Sequence, residues 1–147
     1  AATALTPMYL VVRPALPVRN VADLVAYIRV NPGRLNFGSA GGGTLPHAAA
    51  EMMLRTALSE DPTLPQVSKN LGDLLYRAGR YEDAFEAYER AAKLNPDLGD
   101  DLYFKMGNIA FKRRDREKAR ACWKRVTELN PGHQLARANL DTLDATA

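Results

Sequence analysis

The sequence predicts a mainly α chain, a stack of antiparallel helical hairpins with a small N-terminal strand–helix–strand (α/β) appendage. Three observations predict it. Residue types recur 35 positions apart in the second half: Leu71 with Met106, Gly72 with Gly107, Ala84 with Ala119, Tyr88 with Trp123 and Pro96 with Pro131. Two prolines, Pro96 and Pro131, stand where each unit must stop, because proline cannot continue a helix. Residues 7–58 differ in texture, with short apolar runs broken by proline and by a glycine-rich stretch.

Composition is that of a globular chain, with 46% hydrophobic and 25% charged residues among 147. No apolar run reaches the ~20 residues that a membrane-spanning helix needs, and the run at 8–12 ends at Arg13. The sequence opens without an initiator Met or a signal-peptide pattern, so it is expected to begin partway through something. One cysteine, Cys122, excludes an internal disulfide and a cysteine-cluster metal site, and reads as a buried structural thiol. The net charge of +3 comes from the first 58 residues, where five arginines face Asp23 and Glu51. The rest is balanced, which gives no electrostatic case for nucleic acid.

The repeat has a physical logic. Gly72 and Gly107 let one helix approach its partner, Ala84 and Ala119 do the same from the other side, and the aromatics at 88 and 123 are expected to fill the gap to the neighbouring hairpin. Leu71, Gly72, Gly79, Tyr81, Ala84, Tyr88, Ala91 and Pro96 together resemble the tetratricopeptide repeat family. The second copy departs from it at Arg114 and Val126, and its extra residue is placed in the 97–101 connection. Leu135, Leu140 and Leu143 among polar neighbours predict one closing amphipathic helix over 133–143 with a polar outer face.

The first half predicts a strand at 8–12, a helix capped by Asn20 and carrying Val21, Leu24, Val25 and Ile28, a second strand at 35–37, and a helix starting near Pro46. Its motifs are residues 7–17 (PMYLVVRPALP), Val21-Ala22-Asp23-Leu24, residues 31–36 (NPGRLN), and residues 38–44 (GSAGGGT) followed by His47 and Glu51. They resemble a fragment of the periplasmic substrate-binding receptors of tripartite tricarboxylate transporters. The resemblance implies that Ser39, Ala40, Gly41, Gly42, Gly43, Thr44 and His47 hold a ligand carboxylate, as free amides at a helix N-terminus favour an anion. It covers only some 50 residues of a two-lobed family.

The two patterns overlap. Counting 34 residues back, Ala50 falls under Ala84, Leu54 under Tyr88, Ala57 under Ala91 and Pro62 under Pro96. The expected organisation is therefore a receptor-like fragment at 1–45, a shared helix and linker at 46–64, two hairpins at 65–131 and a capping helix at 132–147. Such a joint suggests a recombined or engineered chain.

The function expected is a protein–protein interaction scaffold that binds a peptide or partner helix. Its concave groove is built from Lys69, Asp73, Tyr76, Phe104, Asn108, Phe111 and Asn139. Phe104 stands where chaperone-binding members need a Lys, which argues against that subtype. The alternative is a small-carboxylate binder using the loop at 38–44. The basic run 112–118 reads as a solvated turn, because acids are interleaved and stacking aromatics are missing. No nucleophile–base spacing, phosphate-binding loop or metal set appears, so neither an enzyme nor a cofactor is expected. Exposed strands in the appendage predict covering by the stack or by a second copy as a homodimer. The compartment, cytoplasm or periplasm, is left open.

Overall fold

A computed structural model describes residues 11–31 and 45–145. Among them lie seven helices: α1 (Val21–Val30), α2 (Leu45–Glu60), α3 (Pro65–Arg77), α4 (Tyr81–Leu94), α5 (Asp100–Lys112), α6 (Arg116–Leu129) and α7 (Gln134–Ala145). From α2 onward each helix packs on the next, with α3 on α4 and α5 on α6 forming the two closest pairs.

In each hairpin the close approach is set by one glycine and one ring. A Cβ on Gly72 would come within 2.6 Å of the Tyr88 ring, and a Cβ on Gly107 within 2.5 Å of Trp123 Cδ1. Ala84 and Ala119 are fully buried at the same crossings. This adds to the role expected for the aromatics. Tyr88 and Trp123 lie on the glycine of their own hairpin, because a hydrogen-only side chain leaves a ring-sized recess, and the Tyr88 ring also has Lys105 Nζ of the next hairpin 5.9 Å from its centroid.

Both hairpins turn through the same cap. The Arg80 amide donates to the Leu75 carbonyl and the Asp115 amide to the Ala110 carbonyl, each at 3.0 Å, which is the longer bond of a Schellman motif. The motif needs a left-handed residue. Gly79 supplies it at φ 78°, and Arg114 occupies the same place at φ 64°, where a side chain costs roughly 1–2 kcal/mol. Gly99, at φ 139°, lies in the 97–101 connection and allows the chain to enter α5.

The core runs continuously from Leu58 on α2 through Leu71, Leu75, Tyr88, Leu102, Ile109 and Trp123 to Ala136 and Leu143 on α7. The closing helix thus forms, at Gln134–Ala145, with His133 Nδ1 accepting from the Ala136 amide at 3.1 Å to cap it. Cys122 is buried and free, and burial pushes its thiol up to about 11.

The appendage differs from expectation. Among the described residues there is no strand. Val11 and Val12, the end of the first expected strand, lack a ladder partner, and Val11 is 86% exposed. An isolated parallel pair has too little apolar face to hold itself. Residues 8–10 and the second expected strand, 35–37, lie outside the described residues, so the homodimer expected from exposed strand edges has no edge to use among the described ones. The helix between them is present as α1. The Asp23 amide donates to Asn20 Oδ1 at 2.8 Å, as the cap at Asn20 requires.

Candidate peptide-binding groove

Successive turns of α3 and α5 bring one charged face of each helix together. Lys69 and Asp73 are four residues apart on α3, and Asp101 and Lys105 are four apart on α5, so each pair shares a face. Across the helices Lys69 Nζ meets Asp101 Oδ1 at 2.7 Å, and Lys105 Nζ meets Asp73 Oδ1 at 2.6 Å and Asp101 Oδ2 at 3.4 Å. Burial alone raises the Asp101 carboxyl, but the Lys69 hydrogen bond and the charges of Lys69 and Lys105 outweigh it and hold the group below its ordinary value.

The core rings anchor this face from beneath. The Tyr88 hydroxyl donates to Asp73 Oδ1 at 2.7 Å, and Trp123 Nε1 donates to Asn108 Oδ1 at 3.3 Å. Burial, then the neighbouring Asp73 carboxylate, drives the Tyr88 hydroxyl far above its ordinary range, so it stays a donor. The same ring that packs on the hairpin glycine therefore fixes the polar residue next to it in sequence.

Of the other groove residues expected from sequence, Tyr76 is half-buried and edge-on to Tyr81 at 5.3 Å. Phe104 lies 4.6 Å from the His133 ring, and Phe111, 47% exposed, sits 5.6 Å from Trp123. Asn139 is half-buried on α7 and is not hydrogen-bonded into the network. Lys105 is the residue that sequence reasoning passed over. Its signal was the spacing to Asp101 on one helix face, which lost out to the aromatic neighbour Phe104.

Much of the basic run 112–118 is partnered. Arg113 pairs with Glu82 and Lys118 with Glu89 on α4, while Lys112 lies 4.1 Å over the Tyr81 ring. Ser39, Ala40, Gly41, Gly42, Gly43 and Thr44 lie outside the described residues. His47, on the first turn of α2, is buried, with Nε2 lacking a partner among the described residues. No group of His, Cys, Asp and Glu that would hold a metal occurs among the described residues. No helix there is long and apolar enough to cross a membrane.

The hairpin boundaries coincide with a known unit. The tetratricopeptide repeat model matches residues 65–98 and 100–133, leaving Gly99 as the inserted residue. Both hairpins thus match the tetratricopeptide repeat over their full length. A second model, the tripartite tricarboxylate transporter family receptor, matches residues 1–61. Helix α2 thus lies inside the receptor match and packs on the first repeat.

Relatives divide along the same line. The chain is 47% identical over 47 residues to a UPF0065 protein of Bordetella pertussis, which covers 32% of this chain and 15% of that protein. It is 32% identical over 102 residues to the protein O-mannosyl-transferase TMTC1 of Mus musculus, covering 67% of this chain and 11% of that protein. The chain therefore spans only a small part of either relative. Among solved structures, MamA superposes with a TM-score of 0.62 at 20% identity, over 69% of this chain and 58% of that one. The first repeat domain of Spaghetti (RPAP3), bound to the HSP90 peptide SRMEEVD, superposes at 0.60 and 22% identity, over 68% and 79%. At these identities the likeness shows the fold.

Proposed function

We propose that this chain is a protein-interaction scaffold whose groove along α3, α5 and α7 takes an extended peptide or a partner helix. One observation carries the reading: two lysines, two aspartates and two core rings converge on one face, and the Lys69–Asp101 and Lys105–Asp73 pairs run between separate repeats. Lys69 and Lys105 are the donors a bound segment meets, and Phe104 and Phe111 are its apolar contacts. The Spaghetti domain, which carries an acidic peptide on a similar fold, supports the same use of the helix stack. The charge of the network is balanced, so a ligand carboxylate must displace Asp73 or Asp101 from a lysine. That favours segments that place an acid beside an apolar residue over simple polyanions.

The test is selection from a random peptide library on the immobilised chain, followed by fluorescence anisotropy of the enriched peptides. Lys105→Glu is expected to weaken them about tenfold or more, about 1.4 kcal/mol, whereas Lys124→Glu, on the exposed side of α6, leaves them unchanged. Enrichment of nothing, or equal losses in both variants, contradicts the reading.

A second reading rests on the receptor match over 1–61 and on the buried His47 Nε2, which has no partner among the described residues. In it the segment 39–44 with His47 binds a small carboxylate. A thermal shift with millimolar citrate, glutamate or nicotinate supports it, and no shift removes it. The division into 1–45, 46–64, 65–131 and 132–147 belongs to this proposal, as does a recombined or engineered origin. Both are supported by two unrelated matches that meet at the end of α2.

A further inference from the structure

Among the described residues, three helices begin under the same kind of cap, a side chain that accepts the amide three residues on. At α1 Asn20 Oδ1 takes the Asp23 amide at 2.8 Å, at α6 Asp115 Oδ1 takes the Lys118 amide at 3.0 Å, and at α7 His133 Nδ1 takes the Ala136 amide at 3.1 Å. The first two acceptors are an amide oxygen and a carboxylate, which keep their lone pairs near neutral pH. The third is an imidazole nitrogen, and an imidazole changes charge between about pH 8 and 5. Only the neutral ring accepts there. A proton on Nδ1 turns the acceptor into a donor facing another donor.

His133 also sits at the seam between α7 and the rest of the groove. Its ring lies 4.6 Å from the Phe104 ring on α5, its amide donates to the Asn130 carbonyl at 3.1 Å, and its carbonyl accepts from the Arg137 amide at 3.3 Å. The far end of α7 is held separately, by buried Leu143, by the Arg120–Asp144 pair and by Arg116 donating to the Leu143 carbonyl. The cap therefore governs the first turn, where Ala136 is buried and Leu135 is 64% exposed. Acids on the neighbouring elements are already engaged: Asp100 accepts from Asn130 Nδ2 at 2.7 Å, Asp101 is held by Lys69 and Lys105, and Glu128 pairs with Arg125. Arg137, one turn along α7, adds a positive charge.

We infer that His133 makes the groove pH-sensitive: the neutral ring caps the first turn of α7 against α5, and a proton on Nδ1 releases that turn and weakens binding of a groove ligand. The effect on a ligand rests on the groove reading above, whereas the effect on α7 does not. A protonated ring loses the Ala136 bond and places a cation at the positive end of a helix. The Phe104 face attracts a cation, but it does so equally once the ring has turned from Ala136, and so gives the charged ring no reason to stay in the cap. The bond needs the neutral form, so the cap is at full strength above the imidazole range and is lost as pH falls through it.

The experiment compares the full chain with His133→Asn, which keeps a good cap that takes no proton, at about pH 7.5 and 5.5 on either side of the imidazole range. Amide hydrogen exchange on the unliganded chains reads the cap. Protection of the Ala136 amide is expected to fall about fivefold with acid in the full chain, the usual worth of an N-cap, and to hold in His133→Asn, with Leu143 steady in both. Anisotropy of a library-selected peptide reads the groove, and a matching loss of affinity with acid is expected in the full chain alone. Unchanged Ala136 protection, or the same fall in His133→Asn, overturns the inference whatever the groove binds. A fall in protection with no change in peptide affinity overturns the link to the groove. A chain that enriches no peptide at either pH refutes the groove reading and its regulation together, while the exchange data still decide whether His133 is a pH-dependent cap.

Discussion

The two repeats share a frame and differ in what they leave open. In both, a ring lies on a glycine and hydrogen-bonds the following polar residue, Tyr88 with Asp73 and Trp123 with Asn108. In both, the turn closes through a left-handed residue. The second repeat then completes itself with Tyr103 in the interhelix space and with Asp115, whose carboxylate accepts from the Lys118 amide at 3.0 Å. The first has Ser68 and Arg80 at those places, and Arg80 gives α4 no side-chain cap. Arg80 reaches instead to Glu51 on α2 at 2.8 Å, so it ties the preceding helix to the stack. The difference separates positions that make a hairpin from positions that fit it to its neighbours.

The largest expected effects fall on the shared frame. Tyr88→Ala and Trp123→Ala should each lose about 3–5 kcal/mol of unfolding free energy in denaturant titrations, since each empties the recess over its glycine. A clearly smaller loss at one ring would show that the repeats are not built alike. Gly72→Ala and Gly107→Ala should follow at about 1–3 kcal/mol, through overpacking against the rings.

The turn comes next, with opposite signs in the two repeats. Arg114→Gly relieves a side chain held at positive φ and should raise stability by about 1 kcal/mol, whereas Gly79→Ala should lower it by a similar amount. Calorimetric melting temperatures of the two variants check this, and a shift of the same sign in both would break the argument.

The smallest effect concerns pH. Asp101 is held below its ordinary value in the folded chain, so its contribution is present above the usual carboxylate range and is lost as pH falls through its lowered value. Stability should therefore decline below about pH 4, and Asp101→Asn should flatten that limb without changing the slope near pH 7. The groove pairs are partly open to solvent, which keeps the effect small.

Much of the fold was legible because repetition doubles the evidence. The paired positions Gly72 and Gly107, Ala84 and Ala119, and Pro96 and Pro131 place four helices without recourse to propensity, and Gly99 is the extra residue within the 97–101 connection. The partner of each ring was not legible, because Tyr88 in contact with Gly72 or with the next hairpin gives the same spacing in sequence. The first expected strand is not seen where the described residues reach it, at Val11 and Val12, because a short apolar run has strand propensity, but a strand needs a neighbour that propensity does not supply. In the groove, spacing placed Lys69 and Asp73 on one face, but the pairing with Asp101 and Lys105 depends on how α3 and α5 sit side by side.

The central claim is that the face shared by α3, α5 and α7 receives a partner segment. The most direct measurement is an amide chemical-shift map of the full chain with a library-selected peptide, read beside the acidic peptide SRMEEVD. The account predicts shifts concentrated at Lys69, Asp73, Phe104, Lys105, Asn108 and Phe111, with the outer faces of α4 and α6 unmoved. Shifts confined to α4 and α6, with those six residues unchanged, would contradict it.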